Sequence, residues 1–526
     1  MLKKLLALAL LSPFMLAAQQ KSCDVLIVNG KIIDGTGNSW YYGDIAVKGG
    51  KIVDIGKLAA SYTASKTIDA KKMIVSPGFI DVHGHIESIL RNNPTAENYI
   101  YDGVTTVITG NCGGSADDIG GFLGEINEKG TSINVASLIG HNNVRRMIMN
   151  RDNRYATPEE QLKMDALIEK GMKDGALGMS TGLIYIPGAY SNTEEVVSLA
   201  KATAKHGGVY VSHIRNEEGG VIDAVNEAIH IGRAANIPVQ ISHYKVSGKV
   251  NWGKSKTTIK MIEDARKEGF DVTIDQYPYT ASSTNLGVRL PDWSLAGGQD
   301  SIVARLNDAP TRARIKKEML AQLAGYGYKN YSYAVVANYS ADTSFNGKSI
   351  TEINKSLGRK SNAATEAETI MEMIAKGGAQ MVYHQMNEND IKYIMSYPYS
   401  MFGADAGVPV MGVSRPHPRG YGTNARVLGK YVREENVISL EEAIRRMSSL
   451  AAQKFYLKDR GLLKEGYAAD ILIFDENEVA DKATFDQPHQ YSVGFKYVLV
   501  NGDVVMDEAK HTGKKSGKAL YGPAKE

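Results

Sequence analysis

The sequence predicts an α/β protein: a (β/α)8 TIM barrel carrying a small β-sandwich domain formed jointly by the N- and C-terminal segments. Three observations predict it. Eight short apolar segments alternate with stretches of helical spacing through the middle of the chain, the pattern of a parallel sheet. Nearly all of them stop at a polar or metal-capable side chain, as barrel strands do where chemistry sits at their C-terminal ends. Short alternating segments broken by Asn-Gly and Gly-Gly pairs occur towards both ends of the chain, and such pairs are hairpin signals.

In order, the eight segments are residues 79–85, 105–112, 134–141, 176–181, 209–213, 239–243, 272–277 and 401–405. The first is apolar at Phe79, Ile80 and Val82 and ends on His83-Gly84-His85; residues i and i+2 of a strand point the same way, so both imidazoles face one side. An open doubly wound sheet would gather only the strands at its switch point and leave the other strand-end histidines unexplained, so the barrel is preferred. Between the strands, residues 193–206 and 220–235 have helical spacing, and Thr193 followed by Glu194 and Glu195 reads as a capped helix start. Turns at Asn29-Gly30 and Gly49-Gly50, and at Asn501-Gly502, mark the two β-rich ends. The expected division is therefore sandwich halves at 24–76 and 451–515 flanking a barrel at 77–450. Residues 286–380 break the strand-helix rhythm; a segment this long is functional or a subdomain, here an insertion over the barrel mouth or an interface element.

Composition narrows the function. Hydrophobic content of 43% and charged content of 23% are ordinary for a soluble enzyme, and a net charge of +3 over 526 residues suggests neither nucleic acid nor an acidic membrane as partner. Residues 1–18 differ: Lys3 and Lys4 precede an apolar run and Ala17-Ala18, the order of a secretory signal peptide. The expectation is an exported protein, periplasmic or secreted, with no later segment apolar enough to span a membrane. Of the two cysteines, Cys23 and Cys112, the second stands at a strand end among metal-capable residues, which argues against a disulfide between them.

His83, His85, Cys112, His213, His243 and Asp405 all fall at strand ends. Each alone has an ordinary structural explanation; a lone buried cysteine is most often a small core residue. Together, nitrogen, sulfur and oxygen donors converging on one barrel face suit zinc, with Asp405 placed to move a proton between water and a leaving nitrogen.

The chain also resembles the amidohydrolase superfamily and is similar, more specifically, to the N-acyl-D-amino-acid deacylases (D-aminoacylases). The resemblance rests on the strand-one His-x-His, Gly110-Asn111-Cys112-Gly113, residues 175–183, Ser212-His213-Ile214-Arg215-Asn216-Glu217, Ile241-Ser242-His243-Tyr244-Lys245, residues 275–283, His417-Pro418-Arg419 and residues 459–466, which together span most of the chain. It implies that Cys112, His213 and His243 hold a tightly bound zinc, that His83, His85 and Asp405 line a second, weaker metal position, and that Asp405 is the general acid/base. It implies further that Lys245, Tyr277 and Ser283 bind the substrate's carboxylate and orient its amide, with Tyr185 and Arg289 as additional contacts. Residues 381–387 offer no arginine for that carboxylate, so Lys245 is its expected anchor. The expected activity is removal of the acyl group from N-acyl-D-amino acids or D-residue-containing dipeptides. Ring opening of a cyclic imide or hydantoin-type amide would use the same metal and base, and an exported binding protein without catalysis would be expected to have lost a ligand or Asp405.

Overall fold

The computed structural model describes residues 20–88 and 90–525; the leader-like residues 1–18 lie outside them. The chain is α/β with mixed sheets. All eight expected segments form strands, paired in parallel in chain order. Phe79–Asp81, Val104–Thr109 and Asn134–Ser137 make one three-stranded sheet, while Ile139–Gly140, Gly178–Gly182, Val209–His213, Val239–Ile241, Val272–Gln276 and Ser400–Phe402 make a six-stranded one. Only Leu138 separates the two sheets, and a parallel bridge from Gly84 to Ala406 links the first strand's end to the last. This order is consistent with the expected barrel.

The strand alternation explains the packing. Val209 and Val211 join one buried cluster with Ile80, Val82, Ile108 and Met401. Tyr210, between them, points the other way, into the cluster with the helix residues Leu199, Val225 and Ile229. Helix starts follow local chemistry. Thr157 forms a reciprocal capping box with Glu160 ahead of Pro158–Asp174. The helix Thr193–Ala204 is capped by Asn192, whose side chain accepts from Glu195 N at 2.9 Å; Thr193, the expected cap, is the first helical residue and donates its hydroxyl to Glu227 instead.

Both ends of the chain meet in one nine-stranded sheet, joined where Ile74–Pro77 pairs antiparallel with Ile471–Phe474. The Gly49-Gly50 and Asn501-Gly502 hairpins form as expected. Asn29-Gly30 does not turn the chain: Lys21–Ile32 runs through it as one strand, and Asn29, at φ 57°, sits at a bulge between Ile27 and Gly30. Cys23 is unpaired and buried in this sheet beside Leu26, Ala46 and Tyr62. Asp470 fastens the sheet to the parallel strands, accepting from Asn134 Nδ2 at 3.0 Å and Asn501 N at 2.7 Å and pairing with Arg460.

The insertion has a buried hydrophobic cluster of its own, including Ile315, Met319, Val336 and Ile370. Its antiparallel sheet is Ser282–Asn285, Gln380–Tyr383 and Ala334–Asn338, so it begins and ends a few residues outside 286–380. Among the described residues no helix is long and apolar enough to cross a membrane.

Candidate metal centre

The first strand ends at Asp81, whose carboxylate organises the turn beyond it. One oxygen accepts from His83 N at 2.8 Å and the other from Ala404 N at 2.9 Å, tying the His83 turn to the segment that carries Asp405. Burial pushes the Asp81 carboxyl up to about 6. Beyond their strands, Cys112, His243 and Asp405 all take left-handed backbone, at φ 52°, 33° and 49°. Non-glycine residues rarely adopt that region, and where the surrounding structure imposes it the site is often functional.

Two overlapping groups result: His83, His85, Cys112 and Asp405, and Cys112, His213 and His243, with donor atoms in each within 4.8 Å of one another. Cys112 Sγ lies 3.3 Å from His83 Nε2, 3.3 Å from His243 Nε2 and 3.7 Å from His213 Nδ1. Asp405 Oδ1 lies 3.1 Å from His85 Nε2 and 3.7 Å from His83 Nε2. All six expected metal residues are therefore brought together, with Cys112 shared by both groups. Burial pushes the Cys112 thiol up, and the imidazoles of His83 and His243 more than reverse this, leaving it well below its ordinary value. Burial likewise pushes Asp405 up, but Arg419, followed by His243 and His85, holds the carboxyl well below the usual range.

A second ring of side chains sets the ligands. Asp275, fully buried, accepts from His243 N at 2.8 Å and from Gln240 Nε2 at 2.6 Å and lies 3.4 Å from His83 Nδ1. Glu217 lies 3.0 Å from His243 Nδ1 and accepts from Lys245 Nζ at 2.6 Å. Such partners fix a ligating imidazole's orientation and tautomer. His141, also at a strand end, is not part of the cluster: it pairs with Glu195 at 2.8 Å.

A cavity of about 750 Å³ opens over the centre. His85, Cys112 and Asp405 are among its lining residues, with Tyr185, Ser283 and Thr284 contributing one part of the wall and residues 406–420 another. A groove of about 850 Å³ elsewhere, along Arg215, Asp223, Glu227 and Arg233, contains none of the cluster. Of the expected substrate contacts, Tyr185 and Ser283 line the cavity. The Tyr185 hydroxyl oxygen accepts from Thr284 Oγ1 at 3.1 Å, and Ser283 Oγ donates to Met381 O at 2.8 Å. Tyr277 is buried with its hydroxyl unpartnered, its ring 4.4 Å from the Arg419 guanidinium.

Two expected contacts are placed elsewhere. Lys245 does not line the cavity; its ammonium is engaged with Glu217 and with His243 Nδ1 at 2.8 Å, on the far edge of that ring from Cys112. The strand ends at Ile241 and His243 is left-handed, so the extended i, i+2 rule does not set the direction of Lys245, whose ammonium lies beside the His243 ring on its Nδ1 edge. Arg289 lies in the insertion core, packed against the Tyr326 and Tyr383 rings and 3.7 Å from Glu218.

The cation that does reach the cavity is Arg419, unassigned from sequence although His417-Pro418-Arg419 is visible there. It is buried, lines the cavity, pairs with Asp405 Oδ2 at 3.0 Å and donates to Ser283 O at 3.3 Å, yet keeps Nη1 unpartnered. His417 accepts from Arg419 N at Nδ1 (3.0 Å) and donates from Nε2 to Ala281 O (2.9 Å). Burial and the adjacent Arg419 hold it well below the ordinary imidazole value, so it is neutral.

Comparison with known proteins agrees with this geometry. Residues 66–506 match the model of the amidohydrolase family. A D-aminoacylase of Alcaligenes xylosoxydans xylosoxydans is 33% identical over 94% of this chain and 97% of its own. The crystal structure of an N-acyl-D-glutamate deacylase from Bordetella bronchiseptica, complexed with zinc and a phosphonate mimic of the tetrahedral intermediate, is 33% identical with a TM-score of 0.81, covering 95% of this chain and all of that one. A D-hydantoinase, at 14% identity and a TM-score of 0.55 over 96% of this chain and all of that one, shares the fold alone.

Proposed function

The chain belongs to the amidohydrolase family, and within it to the N-acyl-D-amino-acid deacylases, and on that premise we propose that it is a zinc-dependent amide hydrolase that frees D-amino acids from their N-acyl derivatives. The observation that carries this reading is the coincidence of a buried Cys-His-His cluster, an ionised Asp405 and a cavity-facing Arg419 with a free nitrogen. The donor set fits zinc: one sulfur and two imidazole nitrogens converge at Cys112, His213 and His243, which would hold one ion tightly, while His83, His85 and Asp405 would form a weaker second position. When bound, zinc supplies Lewis acidity at the scissile carbonyl and eases deprotonation of water.

The chain's own residues do the rest. Asp405 takes a proton from the attacking water at its carboxylate. It returns that proton to the amide nitrogen as the C–N bond breaks, leaving the carboxylate of the acyl group and a free amino acid. Arg419 and His85 orient Asp405 for both steps. Arg419 Nη1 and the Tyr277 hydroxyl, two buried donors without partners, receive the substrate's carboxylate. Tyr185 and Ser283 border the amide. Ring opening of cyclic amides would leave the Arg419 donor without an anion in the substrate, and retention of every ligand and of Asp405 counts against a purely binding role.

The same reading takes the eight parallel strands as a closed (β/α)8 barrel and the nine-stranded sheet as a small β-sandwich, with residues 1–18 directing export to the periplasm or beyond. Zinc-loaded protein assayed against N-acetyl and N-succinyl amino acids of both hands tests the activity. Hydrolysis confined to D-substrates and abolished by chelation is expected; turnover of hydantoins or dihydropyrimidines with none of N-acyl-D-amino acids would overturn it.

A further inference from the structure

Asp405 and Arg419 pair at 3.0 Å, but they stand at opposite ends of a chain excursion, residues 406–418, that leaves the strand ends and returns. Holding two long side chains in one geometry costs entropy, and one ion pair by itself fixes neither backbone. The two ends are joined by the short helix Glu97–Ile100 and the residues just after it. Asn98, buried, donates from Nδ2 to Gly407 O at 3.3 Å and to Gly420 O at 2.7 Å. One side-chain amide thus ties a carbonyl just beyond Asp405 to a carbonyl just beyond Arg419. Tyr99 donates its hydroxyl to Ala406 O at 2.7 Å on the Asp405 side.

The Arg419 side needs outside support because its helix is broken. Within Arg419–Arg426, Gly422 departs from helical backbone at φ −147°. A regular helix would pair Asn424 N with Gly420 O and Ala425 N with Tyr421 O. Here side chains serve all four groups. Asn424 N and Ala425 N donate to Asp102 at 2.7 and 3.0 Å, Gly420 O accepts from Asn98, and Tyr421 O accepts from Ser492 Oγ at 3.0 Å. The orientation of the Asn98 amide follows, since turned over it would set Oδ1 against two carbonyl oxygens. Its Oδ1 is instead buried with no partner among the described residues, a cost that the two donated bonds offset. Asn98 is not among the residues lining the cavity, so it reaches the substrate only through the segment it holds. The Asp405 end has grips of its own, Ala404 N on Asp81 and His85 N on Ala406 O at 2.9 Å. At the other end, His417 and Asp405 share the hold on Arg419 with Asn98.

Resting on the deacylase reading, we propose that Asn98 is a positioning residue that sets Arg419 to receive the substrate's carboxylate, by tying the backbone beyond Arg419 to the backbone beyond Asp405. Without the tie Arg419 keeps its charge but not its place relative to the amide being cut. The loss falls on substrates that carry a carboxylate, and on KM before kcat.

The test compares the zinc-loaded full chain with Asn98→Ala, Asn98→Leu, Arg419→Met and the double variant Asn98→Ala with Arg419→Met. Each is assayed on the preferred N-acyl-D-amino acid and on its carboxamide, with zinc content and thermal midpoint measured alongside. Alanine and leucine differ in volume, so an effect common to both belongs to the lost donor. Each Asn98 variant should lower kcat/KM for the acid by about tenfold, mostly through KM, and for the amide far less, with zinc content unchanged. In the Arg419→Met background, Asn98→Ala should lower the acid preference no further, because a residue acting through another is not additive with it. Four results would overturn the proposal and leave the deacylase reading standing: a wild-type acid preference in the Asn98 variants, equal losses on acid and amide, equal losses of acid preference in both backgrounds, or failure of both Asn98 variants to fold. A wild-type chain that turns over no N-acyl-D-amino acid would overturn both.

Discussion

The ends of the parallel strands and the segment at 406–420 both face the cavity, but they are built differently. At the strand ends, the ligands are gripped from behind: Asp275 holds the His243 backbone, Glu217 sits at its ring and Lys245 holds Glu217. Along 406–420, Arg419 reaches in from a helix start, carries an unpartnered nitrogen and borders an apolar wall. Lys245 and Arg419 are both buried cations near the centre, yet Lys245 is engaged at the His243 ring and with Glu217, while Arg419, paired with Asp405, keeps Nη1 unpartnered. Of these two cations, the one two residues from His243 sits behind its ring, and the one on the cavity wall comes from the segment beyond the eighth strand.

The comparison is broken most severely at the strand ends. Cys112 is common to both donor groups, so Cys112→Ala should lower zinc content and reduce kcat by about 10³-fold or more. Elemental analysis of the purified variant beside its turnover checks this, and near-normal zinc and rate would remove the cysteine from the centre. Asp405→Asn keeps the shape of the side chain but cannot take up the proton. Zinc should remain while kcat falls about 10²–10⁴-fold, and a wild-type kcat would exclude Asp405 from the chemistry. Glu217→Gln weakens the hold on His243 from behind and should lower zinc affinity by about 10–100-fold, read by competition with a chelator; unchanged affinity would make the second ring irrelevant to the ligands.

Much of the centre was legible in the residues because a strand end is a local feature. Apolar runs terminating in His83, Cys112, His213, His243 and Asp405 needed no knowledge of distant contacts, and parallel pairing in chain order assembled them. The hairpins at Gly49-Gly50 and Asn501-Gly502 were equally local. Asn29-Gly30 was not: the same dipeptide serves a turn or a bulge, and the strand continues beyond it because residues 30–32 pair with residues 41–43 and residues 31–32 with residues 74–75. The direction of Lys245 was not legible, because the extended rule stops where the backbone turns left-handed at His243. Arg289 and Arg419 could not be told apart by charge or spacing. Which of them meets the cavity depends on where the insertion folds its tyrosines and where the segment after the eighth strand returns, and neither is a property of neighbouring residues.

The contrast between the two cations reduces to one paired measurement: kcat/KM for an N-acyl-D-amino acid and for its carboxamide, in Arg419→Met and in Lys245→Met. Losing a charged hydrogen bond costs about 1.5–3 kcal/mol, or about one to two orders of magnitude in kcat/KM. The Arg419 variant should lose that much on the acid and far less on the amide, collapsing the preference for the acid. The Lys245 variant should slow acid and amide alike, because it acts through His243. A Lys245 variant that loses the acid preference while the Arg419 variant keeps it would contradict the placement of the substrate carboxylate at Arg419.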